Sequence, residues 1–452
     1  MLITNVEIDG ALSRLRIAKS TIKSIACDLE AHEGEVVVDG HGGALVPGLH
    51  DHHIHLNASA AALNSVKCGP PSVRGAEQLI DVLHANAGSE WIRGIGYHPS
   101  VAGEIDRDWL DQNGPNVPIR LQHRGGRMWI FNSRAMDQLK IEIPADGRLV
   151  DGDKILRGSS GTQRPDLGAL IKKLHSFGIT GVTEVTPEND LADFDHYREF
   201  AQPLNLTIMG GDGLNGVKDS ECARVGPLKI HNHDHNLPPL AELTSTIARA
   251  HDADRAVAIH CVTRAEMMLS LAAIEDAGVH SGDRIEHAAI ADENMIELIA
   301  KLGLTIVTQP HFITERQVAY LNDVEEYERP HLWRLKSFID AGIGVAGGSD
   351  APFGGIDPWK AMASAVQRPA LLSPAEAINA QSAFDLYTKP AGDAGAAPRK
   401  VAVGEPADLC LLDKKWKDAA RNFADLNVMA TWVKGELVYD NISSTRPHSA
   451  AV

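Results

Sequence analysis

The sequence predicts an α/β protein in which strands and helices alternate through the middle of the chain and a small β-sandwich is assembled from both termini. Three observations lead there. Residues 1–49 and 392–452 read as short strands broken by turns. Residues 50–391 alternate apolar strand-like runs with amphipathic stretches of helical period. Polar residues stand at the carboxyl ends of several of those runs. That indicates a parallel sheet or a (β/α)8 barrel, and in a barrel the strand ends converge on one mouth.

At the amino terminus, strands are expected over Leu2–Ile8, Leu12–Ile17, Thr21–Cys27 and Glu35–Val38, punctuated by Gly10, Gly34 and Gly40. At the carboxyl end they are expected over Asp408–Asp413, Val428–Val433 and Glu436–Tyr439, around Lys434 and Gly435. Ile442 to Val452 carries Ser, Pro and Ala and is expected to be mobile. In the middle, Thr263-Arg264-Ala265-Glu266 is a capping box that should start a helix, with Gly278 as its stop. Further helices are expected over Glu293–Leu302, ended by Gly303, and from Leu332 to Ile339, ended by Gly342. Trp91–Tyr97 reads as the second barrel strand, followed by an inserted excursion near 98–165.

Lys and Arg number 43 against 60 Asp and Glu, a net charge of −17, which argues against nucleic-acid or anionic-membrane partners and suits a soluble protein. Cys27, Cys68, Cys222, Cys261 and Cys410 form no Cys-x-x-Cys pair, which argues against a disulfide framework and suits the cytoplasm. The start lacks the basic-then-apolar layout of a signal peptide. No apolar run reaches the roughly 18 residues a spanning helix needs. Association into a homo-oligomer stays open.

Chemistry concentrates at the strand ends. In Pro47-Gly48-Leu49-His50-Asp51-His52-His53-Ile54-His55, strand alternation puts His53 and His55 on one side, the spacing for two imidazoles to share a divalent metal. His260 ends the run from Arg255, His287 ends Asp283–His287, and Asp350 ends Ile343–Asp350. This ordered set resembles the amidohydrolase superfamily of metal-dependent hydrolases over nearly the whole chain. The resemblance favours the (β/α)8 barrel and implies two divalent ions, zinc foremost. His53 and His55 would hold one ion with Asp350, and His260 and His287 the other.

Lys229, in Gly226-Pro227-Leu228-Lys229-Ile230, matches the family's Gly-x-x-Lys-Ile pattern. By that resemblance it would bridge the metals after carboxylation by carbon dioxide, which needs a neutral amine. His231, His233 and His235 follow, departing from the family's usual continuation. His231 is expected on the side of Lys229 as a substrate contact, and His233 and His235 in a solvated loop. Gln309-Pro310-His311 and Asn132-Ser133-Arg134-Ala135 resemble elements of the amidohydrolase-3 subfamily. Gln309 and His311 are expected to touch substrate, His311 as a hydrogen-bond donor to the carbonyl. Relatives usually carry a histidine where this chain has Arg127. That arginine and Arg124 suit a substrate carboxylate.

The implied reaction is hydrolysis of a carbon–nitrogen amide bond of a small molecule through a metal-bridging hydroxide, with Asp350 moving the proton. A lactone or phosphoester hydrolase on the same core is an alternative, as is a non-catalytic metal-binding scaffold. A one-metal deaminase is disfavoured because Thr263 stands where its glutamate would be.

Overall fold

The computed structural model describes residues 1–70, 72–150, 152, 156, 164–232 and 234–442. β1 (Leu2–Ile8) and β2 (Ala11–Ala18) are joined by Asp9 and Gly10 at φ 49° and 82°. A two-residue turn of this hand requires positive φ at both positions, which Asp-Gly tolerates. β3 (Thr21–Ala26) and β4 (Val37–Asp39) complete a sheet of order β3-β2-β1-β4. β5 (Leu45–Pro47) and β6 (Leu49–Ile54) then lead into the body of the chain.

Leu56–Ala169 forms a compact unit of its own. β7 (Val66–Lys67), β8 (Ile92–Tyr97), β9 (Ile119–His123), β10 (Met128–Phe131) and β11 (Arg148–Val150) make its five-stranded sheet, over a core that includes Leu79, Leu83, Leu110 and Leu121. The segment expected as the second barrel strand is therefore β8, an inner strand of this separate sheet. The inserted unit starts at Leu56 rather than near residue 98. β8 has parallel neighbours on both sides, as a barrel strand does, so its apolar run carries no mark of which sheet it joins.

β12 (Ile179–Glu184), β13 (Asn205–Gly210), β14 (Ala223–Ile230), β15 (Val257–Cys261), β16 (Arg284–His287), β17 (Thr305–Thr308) and β18 (Val345–Gly347) join β6 in an eight-stranded parallel sheet of order β18-β17-β16-β15-β14-β13-β12-β6. The sheet closes into a barrel where Ile54 pairs in parallel with Ala351, His55 N donates to Ala351 O at 3.0 Å, and Asp350 N donates to His53 O at 2.7 Å. This is the expected (β/α)8 class. Helix Arg264–Ala277 starts on the predicted capping box, with Glu266 accepting from Thr263 N at 3.0 Å, and ends at Gly278. Helix Glu293–Leu302 ends at Gly303, φ 66°. The next helix is shorter than expected, Leu335–Asp340, because Trp333 at φ 51° breaks helical backbone before it.

β6 does not alternate regularly. Val182 pairs with Asp51 and Glu184 with Ile54, so two steps of β12 span three of β6. Such a bulge reverses the side to which residues point. His50 and His53 consequently both face inward. His50 Nε2 meets Thr183 Oγ1 at 2.9 Å, and His53 reaches Glu286 on β16, which does not neighbour β6.

β19 (Leu409–Leu412), β20 (Val428–Val433) and β21 (Glu436–Asp440) form the last sheet with β5, in the order β21-β20-β19-β5. Lys434 and Gly435, at φ 50° and 81°, turn β20 into β21. Ile3, Val6, Leu15 and Ile22 share a core with Leu409, Leu411 and Trp432, so the sandwich draws on both ends of the chain. The stretch expected to be mobile lies, beyond Ile442, outside the described residues. Among the described residues no helix is long and apolar enough to cross a membrane.

Candidate metal centre

The carboxyl ends of the barrel strands bring candidate metal-binding residues together. Asp350 Oδ1 lies 3.3 Å from His53 Nε2 and 3.4 Å from His55 Nε2, and one donor atom from each residue falls within 4.8 Å of the others. Asp350 reaches this position at φ 51°, past Gly347 and Gly348. A Cβ on Gly348 would stand 2.4 Å from the Cβ of His53, so only glycine lets the chain pass this close to β6. Asp51 secures the approach: its Oδ1 accepts from Ser349 N at 2.9 Å and from His53 N at 3.1 Å.

His53 is oriented from behind. Its Nδ1 lies 2.5 Å from Glu286 Oε2, while Glu286 Oε1 accepts from Arg284 Nε at 2.6 Å. Burial disfavours a charged His53, but the Glu286 charge together with the contacts to Asp350 and Glu286 raises the pKa. The contact holds the Nδ1 proton toward Glu286 and turns Nε2 toward Asp350. His55 is held likewise, its Nδ1 3.1 Å from Thr186 Oγ1. Burial pushes the Asp350 carboxyl up, yet hydrogen bonds from His53 and His55 bring it well below the usual carboxylate range.

The second expected pair stands beside the first. The rings of His260 and His287 are 4.5 Å apart between centroids, and His287 lies 4.7 Å from His53. Burial pushes His287 down to about 3 and His260 well below its ordinary value, so both imidazoles are neutral and keep lone pairs for a cation. Alternation would turn Glu286 and His287 to opposite sides. His287 at φ 68° and Ala288 at φ 49° twist the strand end so that both approach His53. Lys229, 6% exposed at the end of β14, has an Nζ with no hydrogen-bond partner among the described residues. Burial lowers its pKa, against the pull of Glu286. Imidazole nitrogens and a carboxylate oxygen form a donor set suited to zinc and similar ions, and the orphaned Lys229 amine leaves room for a further anionic ligand.

The remaining expected residues divide. His231 is exposed, with its ring centroid 4.1 Å from that of His260. Gln309 is fully buried; its Oε1 accepts from His287 Nδ1 at 2.7 Å and orients that ring, while its Nε2 has no hydrogen-bond partner among the described residues. His311 is buried, with Nε2 3.1 Å from Ser349 O and Nδ1 without a partner. Burial pushes its pKa down to about 4. A neutral His311 donating from Nε2 to that carbonyl presents Nδ1 as an acceptor, so the expected donation to a substrate carbonyl does not fit this tautomer. Arg124 and Arg127 belong to the inserted unit, in the turn between β9 and β10. Asn132 acts within that unit, where Oδ1 accepts from Ile119 N and Ala135 N and caps helix Ser133–Leu139. His233 lies outside the described residues.

Sequence reasoning passed over Glu286, Asp51 and Thr186. A signal was present for Glu286: a charged residue inside a short strand-like run, directly before His287.

An eight-stranded parallel barrel whose strand ends gather histidines and an aspartate defines the class, a metal-dependent hydrolase. The sequence profile of the amidohydrolase family matches residues 36–439, and the chain belongs to that family. It is 27% identical to the N-substituted formamide deformylase of Arthrobacter pascens over 90% of each chain. An uncharacterized metal-dependent hydrolase from Pyrococcus furiosus has the same fold, with TM-score 0.75 at 20% identity over 91% of this chain and 98% of that one. So does the atrazine chlorohydrolase TrzN of Arthrobacter aurescens TC1, solved with zinc, with TM-score 0.60 at 14% identity over 100% of this chain and 97% of that one.

Two predictions follow from this geometry. Glu286→Gln should weaken zinc binding by about 10–100-fold in a chelator competition while the far-ultraviolet spectrum stays unchanged, because the residue orients a ligand from behind. A folded-state pKa of about 4 for His311, below the ordinary 6.5, means that its contribution to stability is complete above pH 6.5 and is lost as pH falls through 4. Denaturant titrations from pH 7 to 4 should therefore give a flatter stability profile for His311→Asn than for wild type.

Proposed function

We propose that this chain hydrolyses the amide bond of a small N-acyl compound to a carboxylic acid and an amine, with N-substituted formamides the first class to test. The 27% identity with a formamide deformylase over 90% of each chain supports the substrate class. The observation that carries the site reading is the unpartnered amine of Lys229, buried beside the cluster of His53, His55 and Asp350. Two divalent ions, zinc first, would be held by His53, His55 and Asp350 on one side and by His260 and His287 on the other. Lys229 would stand between them. Bound ions of this kind acidify a water and polarise a carbonyl.

A neutral Lys229 Nζ adds to the carbon of carbon dioxide. The new nitrogen–carbon bond and the loss of a proton leave a carbamate that supplies the missing anionic ligand. Asp350 turns Oδ1 to both histidines, which leaves Oδ2 to take a proton from the attacking water. The leaving nitrogen needs that proton, since an amide anion is too basic to depart. Glu286 and Gln309 keep His53 and His287 in the tautomers that present Nε2. His311 Nδ1, an acceptor, suits an N–H of the substrate, and His231 beside His260 suits a contact at the mouth. A preference for carboxylated substrates would rest on Arg124 and Arg127. Five free cysteines accord with a cytoplasmic location.

Asp350→Asn should lower kcat by about 10²–10⁴-fold with KM little changed, the pattern of a lost proton carrier. If the fall is matched by lost metal, so that turnover per bound metal stays at the wild-type rate, Asp350 is removed from proton transfer. Lys229→Ala should abolish turnover, with partial recovery on adding short carboxylic acids. A fully active variant would take Lys229 out of the site. Parallel assays of formamides, N-acyl amino acids, cyclic amides and lactones name the substrate class, and faster turnover of lactones would replace the amide reading.

A further inference from the structure

We infer that the barrel carries a second binding site, at its amino-terminal end, for a small molecule bearing a carboxylate or phosphate. A cavity of about 370 Å³ opens there, a volume within the range of small-ligand pockets. Its walls include residues from the amino-terminal halves of four barrel strands, His50 of β6, Gly181 of β12, Asn205 of β13 and Arg224 of β14. Arg399 and Lys434 close it from the carboxyl-terminal part of the chain.

The polar groups facing this space are set out for an anion. No hydrogen bond or ion pair engages the Arg224 guanidinium among the described residues. Arg399 donates from one Nη to Gly48 O and its other Nη lies 3.9 Å from Asp408 Oδ2, while its buried Nε has no hydrogen-bond partner among the described residues. His50, 2% exposed, bonds Thr183 through Nε2, and no hydrogen bond engages its Nδ1 among the described residues. Glu221 and Asp408 also line the cavity, but Asp408 is already engaged: it accepts from Asn205 Nδ2 at 2.9 Å and from Lys434 N at 2.7 Å. Three cations against two carboxylates leave a positive lining on a chain whose net charge is −17.

Two glycines keep the space open beside these groups. A Cβ on Gly392 would stand 2.3 Å from Arg224 Nη1, and one on Gly181 would stand 2.6 Å from His50 Nδ1. A guanidinium fork with free N–H groups, backed by a buried second arginine, matches the paired oxygens of a carboxylate or phosphate.

The test is calorimetric titration of the metal-loaded full chain with inorganic phosphate and, separately, succinate, each against sodium chloride at matched ionic strength. Saturable binding of one of them beyond the chloride control is expected, and which one binds identifies the head group. Arg224→Glu should weaken that binding at least tenfold and leave turnover without added anion unchanged, whereas Arg224→Lys should retain part of it. Asp350→Asn should bind the anion as wild type does, because Asp350 stands at the other end of the barrel. The inference is overturned if neither anion exceeds chloride, if Arg224→Glu binds as tightly as wild type, or if Asp350→Asn abolishes binding and so places the anion at the metal centre.

Discussion

The seam where β6 meets Ser349–Ala351 governs the rest of this molecule. Three backbone contacts along it, Asp350 N to His53 O, His55 N to Ala351 O and the Ile54–Ala351 pairing, join the first barrel strand to the last. The Asp51 carboxylate, accepting from both Ser349 N and His53 N, locks the two sides in register. Closing the barrel and assembling the His53–His55–Asp350 cluster are therefore one event. Gly348 is the steric condition for it, since any Cβ there would run into His53.

Around the seam the barrel interior holds charged groups that an isolated strand could not tolerate. Glu286 and Arg284 are both buried and 2.6 Å apart, and the carboxylate also binds His53. Removing water from such groups costs several kcal/mol each, and the cost is offset only where partners meet them in good geometry. Glu286 is satisfied in that sense. Lys229 is not, because its amine has no hydrogen-bond partner in a buried setting. A fold that leaves a buried amine unpartnered beside a cluster of candidate metal donors concentrates its unpaired polarity where a ligand would relieve it. The cavity at the opposite end, with Arg224 and Arg399, follows the same logic on a smaller scale.

Orienting contacts divide the histidines into kinds that composition cannot separate. His53 and His287 each have an acceptor behind Nδ1, Glu286 and Gln309, and so turn Nε2 forward. His311 donates through Nε2 instead, which leaves Nδ1 as an acceptor and reverses the role its position suggested. Identical side chains at similar depths thus take different chemical parts, decided by one hydrogen bond each.

Much of this was legible in the chain. Asp9-Gly10 and Lys434-Gly435 specify hairpins because positive φ is a local steric matter, and Thr263 with Glu266 starts a helix through bonds spanning a single turn. His53, His55, His260, His287 and Asp350 could be picked out because they end strand-like runs. What no local pattern carried was partnership over distance. Glu286 lies 233 residues from His53, and its role appears only when β16 faces β6 across the barrel. Ile92–Tyr97 carries the same apolar run whether it joins the barrel or the inserted sheet. The bulge that turns His50 and His53 to one side exists only in the pairing of β6 with β12. The sequence by itself determined the elements, their caps and the residues able to bind a metal, since those depend on neighbours a few positions away. Tertiary structure decided which sheet each strand entered, which way each imidazole faced and which charges were left unpaired, since those depend on contacts that form only once the barrel closes.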